Sequence, residues 1–133
     1  MKREIKFRAK AINNDFFKGA WVDGYYTKRL WDEKLVDVII DGSHEIPIQI
    51  ETLGQFTGVK YDDIEIYEHD LVECVGVLCE VVYSDKIGSF VLLEVLSQNL
   101  GNKPIGQMID MFGIKYVGNI YDNPELLKVC SHD

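Results

Sequence analysis

Residues 4–11 alternate strictly between apolar and polar side chains. The apolar positions are Ile5, Phe7 and Ala9, and the basic positions are Lys6, Arg8 and Lys10. A period of two is the pattern of a β-strand that buries one face. We therefore predict that the chain begins with an amphipathic strand.

A turn and a second strand follow. Asn13-Asn14-Asp15 predicts a chain reversal, because short amide and acid side chains bond their own backbone and tolerate left-handed conformations. Residues 21–26 are aromatic and β-branched, which favours a strand. We expect this second strand to pair with the first.

The next segment predicts a hairpin with an apolar edge. Residues 35–40 indicate a third strand, and Asp41-Gly42 is a dipeptide favoured in tight hairpin turns. Isoleucines then alternate with Pro47 and Gln49 over residues 46–50. Because Pro47 cannot donate to a ladder, this segment is predicted to be an edge strand or an irregular extended piece. We expect its isoleucines to be covered by a partner chain.

The middle of the chain carries its least generic stretch. Gly54 and Gly58 bracket Gln-Phe-Thr, and an acidic turn leads into residues 64–70. The two glycines predict a sharp corner at the junction of the two halves, with Phe56 as its anchor. Asp70 is predicted to lock the preceding turn, its carboxylate accepting hydrogen bonds from backbone amides.

The C-terminal half is predicted to contain a meander. Residues 71–77, 78–83 and 87–96 indicate three strands with short connections, which a small barrel buries most economically. Residues 100–112 fit either a short helix or an ordered loop, with Asn102 as a candidate cap before Pro104. Residues 114–121 indicate a further strand, and residues 122–127 a short helical turn.

These elements define a mostly β fold class. We expect N-terminal antiparallel strands joined to a small SH3-like or related β-barrel, with one or two short helices near the C-terminus. The length of 133 residues predicts a single domain, 1–133. Its candidate subdivision is an N-terminal β subdomain over residues 1–58 and a C-terminal small barrel over residues 64–127.

Charge and composition narrow the function classes. The net charge of −8 disfavours binding to phosphate backbones, although basic residues are concentrated in the first eighteen positions. Arg3, Lys6 and Arg8 form the candidate nucleic-acid face. No apolar run reaches the roughly 20 residues of a membrane helix, so we expect no membrane partner. The charged residues among the first six positions do not form the apolar core of a signal peptide, so we expect a cytoplasmic location, and three cysteines, an odd number, indicate reduced thiols.

Candidate catalytic and metal-binding residues are few. Cys74 and Cys79 lack the spacing of a zinc pair and are predicted to be small buried hydrophobes, and the tail from Cys130 is predicted to be incidental. The acidic run near Asp62 lacks calcium-loop spacing, and His44 is predicted to lie in a solvated turn. We expect no enzyme activity, no metal and no cofactor.

Three segments of the chain resemble the YopX family of uncharacterised phage and prophage proteins. They are residues 3–9, residues 54–58 with 65–70, and residues 117–127. The motif positions, which we expect to be structural, are Gly54, Gln55, Phe56, Thr57, Gly58, Glu65, Tyr67, Glu68, Asp70, Gly118, Asn119, Asn123 and Pro124. The family usually has glycine where His69 stands, and an Asp-x-Asn-Gly type turn where this chain has Tyr61-Asp62-Asp63-Ile64.

The resemblance implies a small protein of a bacterial virus or its integrated remnant, acting in the host cytoplasm. The resemblance assigns no catalytic residues to this chain. We expect a non-enzymatic binding or assembly protein that forms homo-oligomers. The first alternative is an acidic protein that binds a basic host protein, and the second is a small-barrel binder of single-stranded nucleic acid.

Overall fold

The computed structural model describes residues 4–127 and is mostly β, as the sequence predicts. Contacts separate the chain into two compact units between Gly58 and Val59. The helix α1 spans Ile105–Phe112. The strands are β1 (Phe7–Lys10), β2 (Trp21–Trp31), β3 (Lys34–Asp41), β4 (His44–Pro47), β5 (Gly54–Tyr61), β6 (Ile64–Tyr67), β7 (Asp70–Cys74), β8 (Val77–Ser84), β9 (Ser89–Glu94) and β10 (Lys115–Asn119).

The first unit is an antiparallel sheet in the order β4-β3-β2-β1-β5, and the end of β5 continues the ladder to β6. The predicted pairing of the first two strands is confirmed, with Phe7 opposite Gly24. The predicted turn is also confirmed, because the Asn14 side chain accepts hydrogen bonds from the backbone N–H groups of Phe16 and Phe17, both at 2.8 Å. The core forms on the apolar face of this sheet around Ala9, Ile39 and Ile48.

The strand β4 lies at the edge of its sheet, as Pro47 predicts. The expectation that a partner covers its isoleucines is wrong for Ile48, which is buried in the core of its own unit. Ile46 is half-buried opposite Ile39. The apolar character of Ile48 therefore reflects folding of the first unit, whereas Ile50 is 44% exposed and its covering by a partner stays a prediction.

The predicted corner at residues 54–58 is wrong, because these residues belong to the continuous strand β5. Phe56 is buried, and its backbone N–H donates to the Lys6 carbonyl at 2.9 Å. Gly58 has a φ of +89°, a left-handed value that explains why glycine stands inside a strand. The sharp reversal occurs later, at Asp62 and Asp63, whose φ values are +52° and +65°.

The second unit contains an antiparallel sheet in the order β10-β7-β8-β9, which confirms the predicted meander. Its core combines strand and helix residues, namely Ile66, Val72, Cys74, Cys79, Val81, Leu92, Ile105 and Ile114. Among residues 4–127 no pairing closes either sheet on itself, so the barrel stays a prediction. Within the same range, no helix has the length and hydropathy needed to span a membrane.

Residues 100–112, for which the sequence predicts either a short helix or an ordered loop, contain α1. Asn102 is not its cap, because the N-terminal boundary residue is Pro104. Proline suits this position, since the first N–H groups of a helix have no partner inside the helix. Gly113 ends α1 with a φ of +70° and donates its N–H to the Ile109 carbonyl at 2.7 Å. The predicted helical turn near the C-terminus is confirmed as a 3-10 helix at Pro124–Leu127.

Candidate functional site

Two motif segments that lie far apart in the sequence meet in the second unit. The strands β7 and β10 pair with Asp70 opposite Asn119, and the Ile120 N–H donates to the His69 carbonyl at 3.1 Å. The His69 ring meets the Tyr121 ring edge-on, with centroids 5.9 Å apart. We call this site the motif cluster, which consists of Tyr67, Glu68, His69, Asp70, Glu80, Asn119, Tyr121, Asp122 and Asn123.

Asp70 acts as the turn lock that the sequence predicts. Its side chain is fully buried, and its carboxylate accepts a hydrogen bond from the Tyr67 N–H at 2.7 Å. Between these residues, His69 has a φ of +76°, in the left-handed region that favours glycine. This value explains why the family usually has glycine at the position of His69.

Asn119 organises the other half of the motif cluster. Its buried side-chain oxygen accepts hydrogen bonds from the N–H groups of Tyr121 and Asp122, both at 2.9 Å, and its Nδ2 donates to the Asp122 carboxylate at 3.2 Å. The Asn123 side chain accepts from the Asn119 N–H at 3.2 Å. Gly118 allows this arrangement, because a Cβ there would overlap the Asn123 side chain.

Titratable groups in the motif cluster surround the His69 ring. Its Nδ1 lies 2.9 Å from the Glu80 carboxylate, and its Nε2 lies 3.9 Å from that of Glu68. The nearby Tyr67 hydroxyl donates to Glu65 at 3.1 Å. These contacts hold the His69 ring in place. Sequence reasoning missed Glu80, because only the pairing of β7 with β8 brings it to His69.

Most of the remaining motif residues belong to β5. Gly54, Gln55, Phe56, Thr57 and Gly58 follow one another there. Glu65 is the second residue of β6 and reaches the cluster through Tyr67. Pro124 begins the 3-10 helix that follows Asn123. The geometry of these residues is that of strand pairing and chain reversal, in keeping with their expected structural role.

The candidate nucleic-acid face lies in the first unit. The Lys6 ammonium stands 5.4 Å from the Phe56 ring centroid, and the Arg8 guanidinium stands 4.8 Å from that of Trp21. Lys10 also lies over Trp21, at 5.5 Å. These are cation–π distances. The third predicted member, Arg3, lies outside the described residues.

Cys74 and Cys79 are buried, as predicted. Burial raises the pKa of the Cys74 thiol, and burial, with a smaller contribution from Cys74, raises the pKa of Cys79 to about 11. Both thiols are therefore neutral near pH 7. The predicted incidental tail, from Cys130 onward, lies outside the described residues.

A thiol with a raised pKa should react slowly, because the thiolate is the nucleophile. In a Cys130→Ser variant at pH 8, we expect iodoacetamide to alkylate Cys79 at least about 100-fold more slowly in the folded protein than in guanidinium. Because the folded-state pKa is raised, this thiol contributes stability below its ordinary pKa near 9, and the contribution is lost as the pH rises through about 11. Mass spectrometry measures the rates, and equal rates in both states would contradict the burial.

The predicted solvated turns are confirmed as turns. Asp41 pairs with His44 across the hairpin between β3 and β4, and both side chains are exposed. Asp62 and Asp63 adopt the left-handed values that Asn-Gly turns also favour. Within residues 4–127, no group of three or more His, Cys, Asp and Glu side chains is close enough to hold a metal ion.

The hairpin of β2 and β3 displays large apolar side chains at its end. Leu30 and Leu35 are cross-strand partners, and each is 68% exposed, while the neighbouring Trp31 is 38% exposed. We call Leu30, Trp31 and Leu35 the hairpin-tip patch. Closer to the middle of the hairpin, Asp37 accepts hydrogen bonds from Tyr26 at 2.6 Å and Lys28 at 2.8 Å. The Lys28 and Tyr26 hydrogen bonds lower the pKa of Asp37.

Comparison with known proteins gives one family match. The model of the YopX family, described as YopX protein, matches residues 6–128. A search of curated proteins gave no match.

Proposed function

Because the chain belongs to the YopX family, we propose that it is a phage-type protein of the host cytoplasm that acts without enzymatic chemistry, by binding or assembly. In this proposal the protein forms homo-oligomers. The motif cluster supports a non-enzymatic role. Its fully buried carboxylate, that of Asp70, bonds a backbone amide, and its Asn119 side chain bonds two more.

The assembly proposal rests on the exposed hairpin-tip patch. Its leucines lie in a regular ladder, and the turn between them is set by Asp32 and Glu33, whose φ values are +49° and +65°. The patch is therefore held at the end of an ordered element. Apolar side chains presented in this way mark interaction surfaces in soluble proteins. A second copy of the chain can cover the patch with an equivalent patch, as in a symmetric dimer.

The same proposal includes a barrel-like second unit. Ile66 of β6 shares a buried cluster with Val72 of β7, Val81 of β8 and Leu92 of β9, although β6 belongs to the ladder of β5. Packing of this hairpin strand against the four-stranded sheet supports an SH3-like arrangement. A barrel of this kind leaves fewer exposed edges for aggregation.

Light scattering coupled to size exclusion tests the assembly proposal. We expect a mass of at least twice 15.3 kDa at high protein concentration. Replacing both Leu30 and Leu35 with serine should weaken association by at least about tenfold, since two exposed leucines lose their apolar contact. The matched control is Leu96→Ser, which removes a leucine that is 70% exposed in the second unit.

Two results would contradict this proposal. One is a 15.3 kDa monomer at every concentration, and the other is equal loss of association in the control. Circular dichroism confirms that each variant folds. Since the exposed leucines make few contacts within the chain, the serine variants should remain folded.

A second candidate function is binding of single-stranded nucleic acid by the basic strand β1. The Arg8 guanidinium over the half-buried Trp21 ring favours it, because bases stack on aromatic rings beside positive charge, whereas the Phe56 ring is buried and cannot take part in stacking. The net charge of −8 opposes it and favours instead a basic host protein as partner. A gel shift with single-stranded DNA at low salt tests the nucleic-acid candidate. A shift that Arg8→Gln weakens supports it, and the absence of a shift removes it.

A further inference from the structure

The second unit contains a cavity of about 200 Å³ that is partly open to solvent. Its apolar lining comprises Val75 and Leu100 together with five residues of regular elements, Val77, Leu92, Met108 and the two thiols, Cys74 and Cys79. All five side chains come from β7, β8, β9 and α1. The cavity is therefore built into the core packing of one unit.

The size of this cavity limits what it can hold. A dry cavity of about 150 Å³ lined by aliphatic side chains accommodates benzene in other proteins. A volume of about 200 Å³ therefore suits one six-membered ring with a small substituent. Larger cofactors such as nucleotides need pockets of roughly 300 Å³ or more.

Polar groups at the rim set the chemistry of the ligand. Lys103 and Asn99 both line the cavity, and within residues 4–127 neither side chain forms a hydrogen bond or an ion pair. The one acidic rim residue, Glu94, accepts a hydrogen bond from the Ser97 hydroxyl at 2.7 Å. The rim thus offers a cation and an amide donor above an apolar wall.

We propose that this cavity binds a small aromatic or branched aliphatic carboxylic acid. The ring or branched group packs against Leu92 and Met108, and the carboxylate pairs with Lys103 and accepts a hydrogen bond from Asn99. The thiols form part of the apolar wall. Their raised pKa values keep them neutral, which separates this site from a thiolate site for a soft metal ion.

Binding of benzoate, with toluene as its neutral counterpart, tests the proposal. We expect both probes to shift the Met108 methyl signal of the full-length protein in NMR titrations, and benzoate to bind more tightly than toluene. Lys103→Gln should weaken benzoate binding by about tenfold and leave toluene binding unchanged, because only the charged contact is lost. Lys86→Gln, an exposed lysine away from the cavity, is the matched control.

Cavity filling provides a second test. Cys79→Leu adds volume at the wall, so both probes should lose binding while circular dichroism shows a folded protein. If Cys79→Leu fails to fold, the comparison of Lys103→Gln with Lys86→Gln still tests the proposal. The proposal is overturned if neither probe shifts Met108, if toluene binds as tightly as benzoate, or if Lys86→Gln weakens benzoate as much as Lys103→Gln does. A silver(I) shift of the methyl signal with no benzoate shift would indicate a soft-metal site and would also overturn it.

Discussion

Replacing Gly24 with alanine should lower the free energy of unfolding by more than about 3 kcal/mol. Gly24 lies in β2 with a φ of +150°, and a Cβ there would overlap the backbone carbonyl oxygen of Ile40. Tyr25, the next residue, is the register partner of Ile40. The overlap cannot be relieved by a side-chain rotation, because the atom in contact is backbone in a paired strand.

Urea unfolding followed by tryptophan fluorescence measures this change. Both tryptophans, Trp21 and Trp31, lie in β2 and report on the first unit. The matched control is Gly42→Ala, at a φ of +61° with no atom within 4 Å of the added Cβ. Gly42→Ala should lower the free energy of unfolding by only about 1 kcal/mol, because the left-handed conformation is its only source of strain. Equal losses for the two variants would mean that the close approach of β2 and β3 at Gly24 is not a constraint.

Replacing Asn119 with alanine should lower the free energy of unfolding by about 3 kcal/mol. The buried side chain accepts two backbone hydrogen bonds and donates one to Asp122. Alanine leaves the Tyr121 and Asp122 N–H groups without these partners at the turn that follows β10. Circular dichroism during urea unfolding measures the loss.

Two further variants distinguish hydrogen bonding from simple truncation. Asn119→Asp keeps the acceptor oxygens but loses the donor to Asp122 and places two carboxylates together, so its loss should be smaller than that of alanine near pH 3 and larger near pH 7. Asn102→Ala changes an exposed asparagine with no hydrogen bond from its side chain within the described residues and should lie within about 0.5 kcal/mol of the unchanged protein. A loss below about 1 kcal/mol for Asn119→Ala would contradict the proposed role of the turn.

The motif residues also show what a sequence pattern conveys without a structure. The family match over residues 6–128 agrees with the resemblance found from three short segments. Those segments gave no reason to expect contact between residues 65–70 and 117–123. The pairing of β7 with β10 supplies the contact, and the left-handed conformation of His69 accounts for a family glycine.

Two errors of the sequence interpretation have identifiable physical causes. Gly54 and Gly58 predicted a corner because glycine permits unusual backbone angles, but Gly54 lies in the ladder to β1, and the left-handed φ of Gly58 is accommodated inside β5. Asn102 predicted a cap, whereas the helix begins two residues later at the boundary set by Pro104. Strand pairing overrode a local preference at Gly54, whereas at Asn102 another local feature, Pro104, set the start of the helix.

The sequence by itself determined the mostly β class, the positions of most strands, the turns at Asn14 and Asp41-Gly42, and the bond of Asp70 to a preceding amide. These follow from local rules, namely the period of two, turn chemistry and short-range hydrogen bonding. Only the tertiary structure decided that Glu80 lies beside His69, that Ile48 is covered by its own unit and that Leu30 and Leu35 are exposed together. Such contacts depend on which strands pair and in which register, and residues far apart in sequence carry no local signal of that pairing.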